Sequence, residues 1–268
     1  MKSKITGQDA TFLFETKILN KHNIKYYQCN QTGFIQTEEP YWLEEAYSSA
    51  ITKLDVGLAY RNLRLADIVS KVILKHFDRK GLFLDYAGGY GLFTRLMRDK
   101  GFNYYNTDKY CQNIFSEYFD LANQPPGSSF ELVTAFEVFE HLPNPIDEIT
   151  EMLKFSDNLL FTTELQPKNI VIKDWHYISA ETGQHVAFYN PESLAYIAKQ
   201  LGYNFYTDGN YVHLFTKREF NTDPFKHRDP FLLRKAKKFI KKMEIKEFGE
   251  LQSLLMTDWR FIKDKLNA

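Results

Sequence analysis

The chain has 268 residues, with 34 Lys and Arg against 34 Asp and Glu, 44% hydrophobic and 16% aromatic residues. That balance excludes a disordered chain, which pairs low hydrophobicity with high net charge, and it leaves material for a substantial core. Zero net charge gives no global field for nucleic acid or an anionic membrane, and two cysteines, Cys29 and Cys111, cannot build a disulfide framework, so a reducing, cytoplasmic setting is expected.

Met1 to Thr11 is polar and lacks the apolar stretch of a signal peptide. No run approaches the roughly 20 apolar residues that span a bilayer, so no integral membrane segment is expected. Residues 1–53 form a first lobe. Within it, Ile24 to Cys29 and Phe34 to Gln36 are β-like and flank the turn Asn30-Gln31-Thr32-Gly33, which predicts a hairpin. Tyr41 to Ser49 follows a proline and reads as a short helix. Residues 54–80 carry a packing helix, because Leu65, Ile68, Val69, Val72 and Ile73 recur at helical spacing.

Residues 81–218 alternate strand and helix. Strands are predicted at Leu82 to Tyr86, Asn103 to Thr107, Phe130 to Val138 and Asn158 to Thr163. Helices are predicted at Leu92 to Lys100, Ile146 to Lys154 and Glu192 to Leu201. Such alternation implies a doubly wound, mostly parallel α/β sheet covered on both faces. Tyr203 to Thr207 and Tyr211 to Thr216, joined through Asp208-Gly209-Asn210, add a terminal antiparallel hairpin. Residues 219–268 read as a helical tail whose first part is basic, with Arg234, Lys235, Lys237, Lys238, Lys241 and Lys242. Glu244, Glu247 and Glu250 follow closely, which opposes strong membrane affinity.

The most informative stretch is Leu82 to Gly91. It places an acid at a strand end, then a glycine-rich turn, then a helix start. In an open α/β sheet that turn lies where ligands bind. A dinucleotide fingerprint fails, because counting from Gly89 puts Thr94 at the third glycine position. Asp85-Tyr86-Ala87-Gly88-Gly89-Tyr90-Gly91 instead resembles the Asp-x-Gly-x-Gly-x-Gly motif of class I S-adenosylmethionine-dependent methyltransferases, with Ala87 in place of the first glycine. The resemblance implies a Rossmann-like core with a seven-stranded sheet, S-adenosylmethionine as cofactor and S-adenosylhomocysteine as product. It places Asp85 near the methionine amino group, and Tyr86, Ala87, Gly88, Gly89 and Gly91 along the cofactor.

Asn106-Thr107-Asp108 closes the next strand, and an acid about 20 residues past the glycines can accept ribose hydroxyls. Asp108 is assigned to the ribose, with Lys109 beside it; the competing reading is a turn aspartate. Phe130 to Pro145 is similar to the family's fourth-strand segment, with its Glu-Val-x-Glu-His-x-x-x-Pro pattern. This implies that Glu137 faces the cofactor and that Glu140 and His141 open the following loop.

Two further stretches resemble a subset of these enzymes tied to sugar and cell-surface polysaccharide pathways. One is Trp175 to Tyr189, similar to Trp-x-Tyr-x-x-x-Glu-x-Gly-Gln-His-x-x-Phe-Tyr. The other is Pro40 to Tyr47 together with Asp55-x-Gly57-x-x-x-Arg61-Asn62. Relatives can carry Cys-x-x-Cys in the early hairpin, a half-site for zinc. Here Cys29 is followed by Thr32, so that pair is broken and no metal is expected. Trp175 and Tyr177 suit stacking on a sugar ring, and Glu181, Asp55 and Arg61 are assigned to substrate. Attack by a sugar hydroxyl benefits from a general base, and neutral histidine fits that task near neutral pH. His185 ranks first, then His141, then His176.

The expected activity is metal-independent O-methylation of a sugar or sugar-nucleotide hydroxyl, with no nucleic-acid partner and a homodimer left open. Carbon methylation of a keto-sugar, and a non-catalytic cofactor-binding subunit suggested by Ala87, stay open as alternatives.

Overall fold

The computed structural model describes residues 1–48, 52–225, 235, 260, 261 and 263–265. The chain opens with β1 (Ala10–Ile18), β2 (His22–Cys29) and β3 (Ile35–Thr37), followed by the short α1 (Leu43–Ala46) and the long α2 (Leu58–His76). Next come β4 (Leu82–Tyr86), α3 (Leu92–Asp99), β5 (Asn103–Thr107) and β6 (Leu132–Ala135). The order ends with α4 (Pro145–Leu153), β7 (Asn158–Thr162), β8 (Ala187–Phe188), α5 (Pro191–Leu201), β9 (Asn204–Thr207) and β10 (Val212–Thr216).

Strand alternation divides the core. Phe83, Leu132, Leu160 and Leu214 point to one face, where Val69, Val72 and Ile73 of α2 and Phe93 and Met97 of α3 cover them. Their neighbours Leu84, Val133, Leu159, Phe161 and Phe215 point to the other face, against Ile149 and Met152 of α4 and Leu194 and Ile197 of α5. Strands covered on both sides are largely apolar, and β6, β7 and β10 are buried at every position. The stripe predicted on α2 is the buried one, with Ile68 at its margin. Each of its fully buried aliphatic side chains contributes roughly 1.5–3 kcal/mol.

The main sheet has the order β5-β4-β6-β7-β10-β9. β4, β5, β6 and β7 pair in parallel, while β10 runs antiparallel to both β7 and β9. The chain steps from β4 outward to β5 and then back across β4 to β6, so a crevice opens at the carboxyl end of β4. Among the described residues this sheet has six strands, not the seven the family resemblance implies. Beyond β5, the place of a further strand is taken by one parallel bridge, Asn106 to Asp120. The segment that follows contains Pro125-Pro126, which offers no N–H to a ladder.

The N-terminal lobe departs further from expectation. The hairpin around Asn30 to Gly33 forms as β2 and β3, but β1, outside the predicted elements, pairs with β2 along its length. The helix expected over Tyr41 to Ser49 is only the four residues of α1. β3 pairs with β8, with Ile35 opposite Phe188, and Trp42 Nε1 donates to the Gly183 carbonyl at 2.8 Å. The segment from Trp175 to Tyr189 is thereby clamped between the lobe and the main sheet. Of the basic tail positions, Arg234, Lys237, Lys238, Lys241 and Lys242 lie outside the described residues, as do Glu244, Glu247 and Glu250. No helix among the described residues is long and apolar enough to cross a membrane.

Candidate active site

The turn after β4 is tightly built. Ala87 takes a left-handed φ of 54°, and Glu137, just past β6, takes 55°. Such conformations cost non-glycine residues roughly 1–2 kcal/mol each, and strain of this kind concentrates at functional sites. At Gly88 a Cβ would overlap Asn106 Oδ1 and Asp85 Oδ2. Two acceptor oxygens therefore flank this residue. Asp85 is buried, accepts from Thr134 Oγ1 at 2.9 Å, and has its pKa pushed up to about 7 by burial, with the Asp108 charge adding to the shift. Asn106 is also buried, and its Oδ1 has no hydrogen-bond partner.

Asp108 ties this turn to the next loop. Its Oδ2 accepts from Gly89 N–H at 2.9 Å, and its Oδ1 accepts from the N–H groups of Tyr110 and Cys111 at 2.7 Å each. The turn-aspartate reading thus describes its main-chain bonds, and the carboxylate still borders the crevice. Lys109 lies alongside, its Nζ 5.3 Å from the Tyr110 ring centre. Gly91 plays a different part from the one assigned. It caps α3 with a φ of 81°, a Cβ there would overlap Asn113 Oδ1, and it is absent from the cavity wall. Its small size serves loop packing.

A cavity of about 1270 Å³ extends from this turn. Asp85, Tyr86, Ala87, Gly88, Gly89, Asp108, Lys109 and Glu137 line one part of it, and Asp55, Arg61, His141, His176, Tyr177, Glu181 and His185 line the remainder. The sequence-derived residues therefore converge, with Gly91 and Trp175 as exceptions. Trp175 is buried in the cluster beneath the lobe and donates its Nε1–H to Glu164 at 3.2 Å, so it backs the wall and offers no face to a ligand.

Glu137 is heavily engaged. Its Oε1 accepts from Tyr211 at 2.7 Å and Thr162 at 3.0 Å, and its Oε2 lies 3.8 Å from Arg61 Nε. Arg61 also forms a two-pronged pair with Asp55 at 3.0 and 2.9 Å. Glu181 pairs with Lys263 at 2.8 Å. His176 is largely exposed and lies 3.2 Å from Glu164, whose hydrogen bond raises its pKa.

His141 and His185 differ from His176. Each directs Nδ1 at a main-chain carbonyl, Gln184 at 3.0 Å and Tyr177 at 2.6 Å respectively. A carbonyl can only accept, so each Nδ1 carries the proton and each free lone pair is on Nε2. Burial lowers their pKa values to about 4 and about 3, and the neighbouring His141 pushes His185 down further. Both rings are neutral at ordinary pH. Their centres are 4.8 Å apart.

Sequence reasoning left four residues of this region without a role. Asn106 sits inside a quoted strand-end motif but carries no charge to mark it. Glu140 belongs to the recognised Glu-His pair. Glu164 follows β7 and lines the cavity. Tyr211 reaches Glu137 only because β10 runs antiparallel, and nothing local signals that contact.

A glycine turn closing one parallel strand, an acid closing its neighbour and a deep crevice at the switch point define a Rossmann-like enzyme that binds a nucleoside-type cofactor. The chain belongs to the methyltransferase-domain family, whose profile matches residues 58–207. No curated protein matches it. Among solved structures, it resembles the plantazolicin methyltransferase BpumL in complex with a monoazolic desmethylPZN analog and SAH. That match has 10% identity and a TM-score of 0.46 and covers 66% of this chain and 93% of that one. An O-methyltransferase family protein from Burkholderia thailandensis matches at 14% identity and a TM-score of 0.43, over 62% of this chain and 58% of that one. Magnesium protoporphyrin IX methyltransferase from Synechocystis PCC 6803, with bound SAH, matches at 14% identity and a TM-score of 0.43, over 66% and 94%.

Proposed function

We propose that the protein transfers the methyl group of S-adenosylmethionine to a hydroxyl of a sugar, free, nucleotide-linked or within a polysaccharide. The observation that carries the cofactor assignment is Asp85 on the cavity wall beside Gly88. Its carboxyl suits the ammonium group of an amino-acid-bearing nucleoside, which supplies three donors and a positive charge. Asp108 holds the ribose, with Lys109 beside it. The bound cofactor supplies an electrophilic methyl on a sulfonium.

This chain's own residues do the rest. A cavity of about 1270 Å³ exceeds the roughly 300–1,000 Å³ of ordinary ligand pockets, which supports a cofactor and an acceptor side by side. Asp55 and Arg61 form one wall of the acceptor half, and Tyr177 and Glu181 form another. The charged side chains Asp55, Arg61 and Glu181 in its wall support a hydroxylated acceptor, and the Trp175 to Tyr189 segment supports the sugar reading through its family resemblance. His185 Nε2 is the proton acceptor. As the acceptor oxygen bonds to the methyl carbon, the carbon–sulfur pair stays with sulfur, and the hydroxyl proton passes to the imidazole. Holding the reactants about 3–3.5 Å apart in a dry site supplies much of the acceleration.

The test is methyl transfer from radiolabelled S-adenosylmethionine to a panel of sugars, sugar nucleotides and keto-sugar nucleotides, with the labelled position read by NMR. An O-methyl product is expected. A C-methyl product on a keto-sugar would replace the hydroxyl with a carbon acid, and label in none of the sugars would overturn the sugar assignment.

A further inference from the structure

Three groups able to ligate a metal meet beside the acceptor half of the cavity. One ring nitrogen each of His141 and His185 and one carboxylate oxygen of Glu140 all lie within 4.8 Å of one another. Glu140 has no exposed surface, and neither of its carboxylate oxygens has a hydrogen-bond partner. The Tyr177 hydroxyl lies nearby but falls short of hydrogen-bond geometry, and burial together with the Glu137 charge pushes the Glu140 carboxyl well above the usual carboxylate range. An isolated buried carboxylate is costly unless a cation or donor compensates it. The histidines provide neither, because each commits its Nδ1–H to a main-chain carbonyl and has only an Nε2 lone pair to offer. A divalent cation would displace the carboxyl proton and engage all three groups at once.

We infer that Glu140, His141 and His185 bind one divalent transition-metal ion, of which Zn²⁺ is the representative. Two imidazoles and a carboxylate are a ligand set for Zn²⁺ or Fe²⁺ rather than Mg²⁺ or Ca²⁺, and three protein ligands leave coordination positions open. The main-chain carbonyls on both Nδ1 atoms are the outer supports that fix the tautomer and orientation of metal-binding histidines. Ligand atoms on a tetrahedral zinc stand roughly 3.4 Å apart, given bond lengths of about 2.0–2.1 Å. The trio must therefore tighten, and the Glu140 carboxylate can turn because no hydrogen bond holds it.

The sequence carries part of this set in Glu140-His141, where a metal was not expected, but His185 joins it only through the clamped segment after β7. The consequence for catalysis rests on the methyl-transfer reading. With an ion held there, His185 would act as a ligand instead of the proton acceptor, and the ion would supply a Lewis acid that lowers the pKa of the acceptor hydroxyl.

The test measures metal and cofactor separately on the full chain, purified without a polyhistidine tag. Elemental analysis, and titration of chelator-treated protein with Zn²⁺ and with Co²⁺ followed by visible absorption, should give about one ion per chain. Glu140→Gln and His185→Ala should each weaken it by more than the ~10–100-fold that loss of an outer support costs. S-adenosylhomocysteine binding by calorimetry, run on every sample, reports the fold and the cofactor site. Wild-type protein that binds S-adenosylhomocysteine but neither Zn²⁺ nor Co²⁺ overturns the metal and leaves His185 as a plain proton acceptor. Metal bound without S-adenosylhomocysteine keeps the metal site and removes the methyl-transfer reading instead.

Discussion

Asp85 offers the sharpest perturbation, because the same carboxylate that suits the cofactor's ammonium burdens the free protein. Burial raises its pKa from 3.8 to about 7. A raised acid favours the folded state only while protonated, so stability is fully present below the unfolded pKa and falls until pH passes the folded value. The shift of about three units corresponds to roughly 4 kcal/mol lost between pH 4 and pH 7, at about 1.4 kcal/mol per unit. Asp85→Asn keeps an oxygen for Thr134 and removes the charge. Urea unfolding of the cofactor-free protein at pH 5 and pH 8 checks this. Wild type should lose about 2–3 kcal/mol more than the variant over that interval. The variant should be the more stable at pH 8 and bind S-adenosylhomocysteine more weakly. Parallel pH dependence in the two proteins, or a less stable Asp85→Asn at pH 8, would refute the reasoning.

Asp108→Ala removes the proposed ribose acceptor and frees the Gly89 N–H, so calorimetry should show S-adenosylhomocysteine affinity down by roughly 1.5–3 kcal/mol; unchanged affinity removes Asp108 from the site. Ala87→Gly relieves a left-handed alanine and should raise the unfolding free energy by roughly 1 kcal/mol without weakening the cofactor. A destabilised glycine variant would show that the Ala87 methyl packs usefully. His185→Ala should cut turnover by about 10²–10⁴-fold while leaving S-adenosylhomocysteine affinity intact; wild-type turnover in that variant would exclude His185 from activating the acceptor.

The local chemistry of the core was legible because it is written in adjacent residues. The stripe on α2, the glycine turn after β4 and the acid after β5 each follow from a short window. What escaped depended on distant pairing. β1 runs Ala-Thr-Phe-Leu-Phe-Glu-Thr-Lys-Ile without a regular alternation to mark it, and it forms because β2 gives it a partner over eight positions. Phe130 to Val138 has the apolar character of a long strand, yet only Leu132–Ala135 pair, since Glu137 turns left-handed to meet Thr162 and Tyr211. Trp175 was read as a ligand platform from its aromatic face, but the lobe packed over it consumes that face. The gathering of Glu140, His141 and His185 has the same origin. Two of the three are sequence neighbours, and the third arrives through β3–β8 pairing and the Trp42 bond to Gly183.

The assignment as a whole depends on a sulfonium nucleoside lying across the turn from Asp85 to Gly89. A crystal structure of the protein grown with S-adenosylhomocysteine tests it most directly. Its amino group should lie against Asp85 and its ribose at Asp108, with sulfur directed toward the half of the cavity that holds His185. A crevice without the nucleoside under saturating conditions, or a nucleoside bound with its ribose away from Asp108, would contradict it.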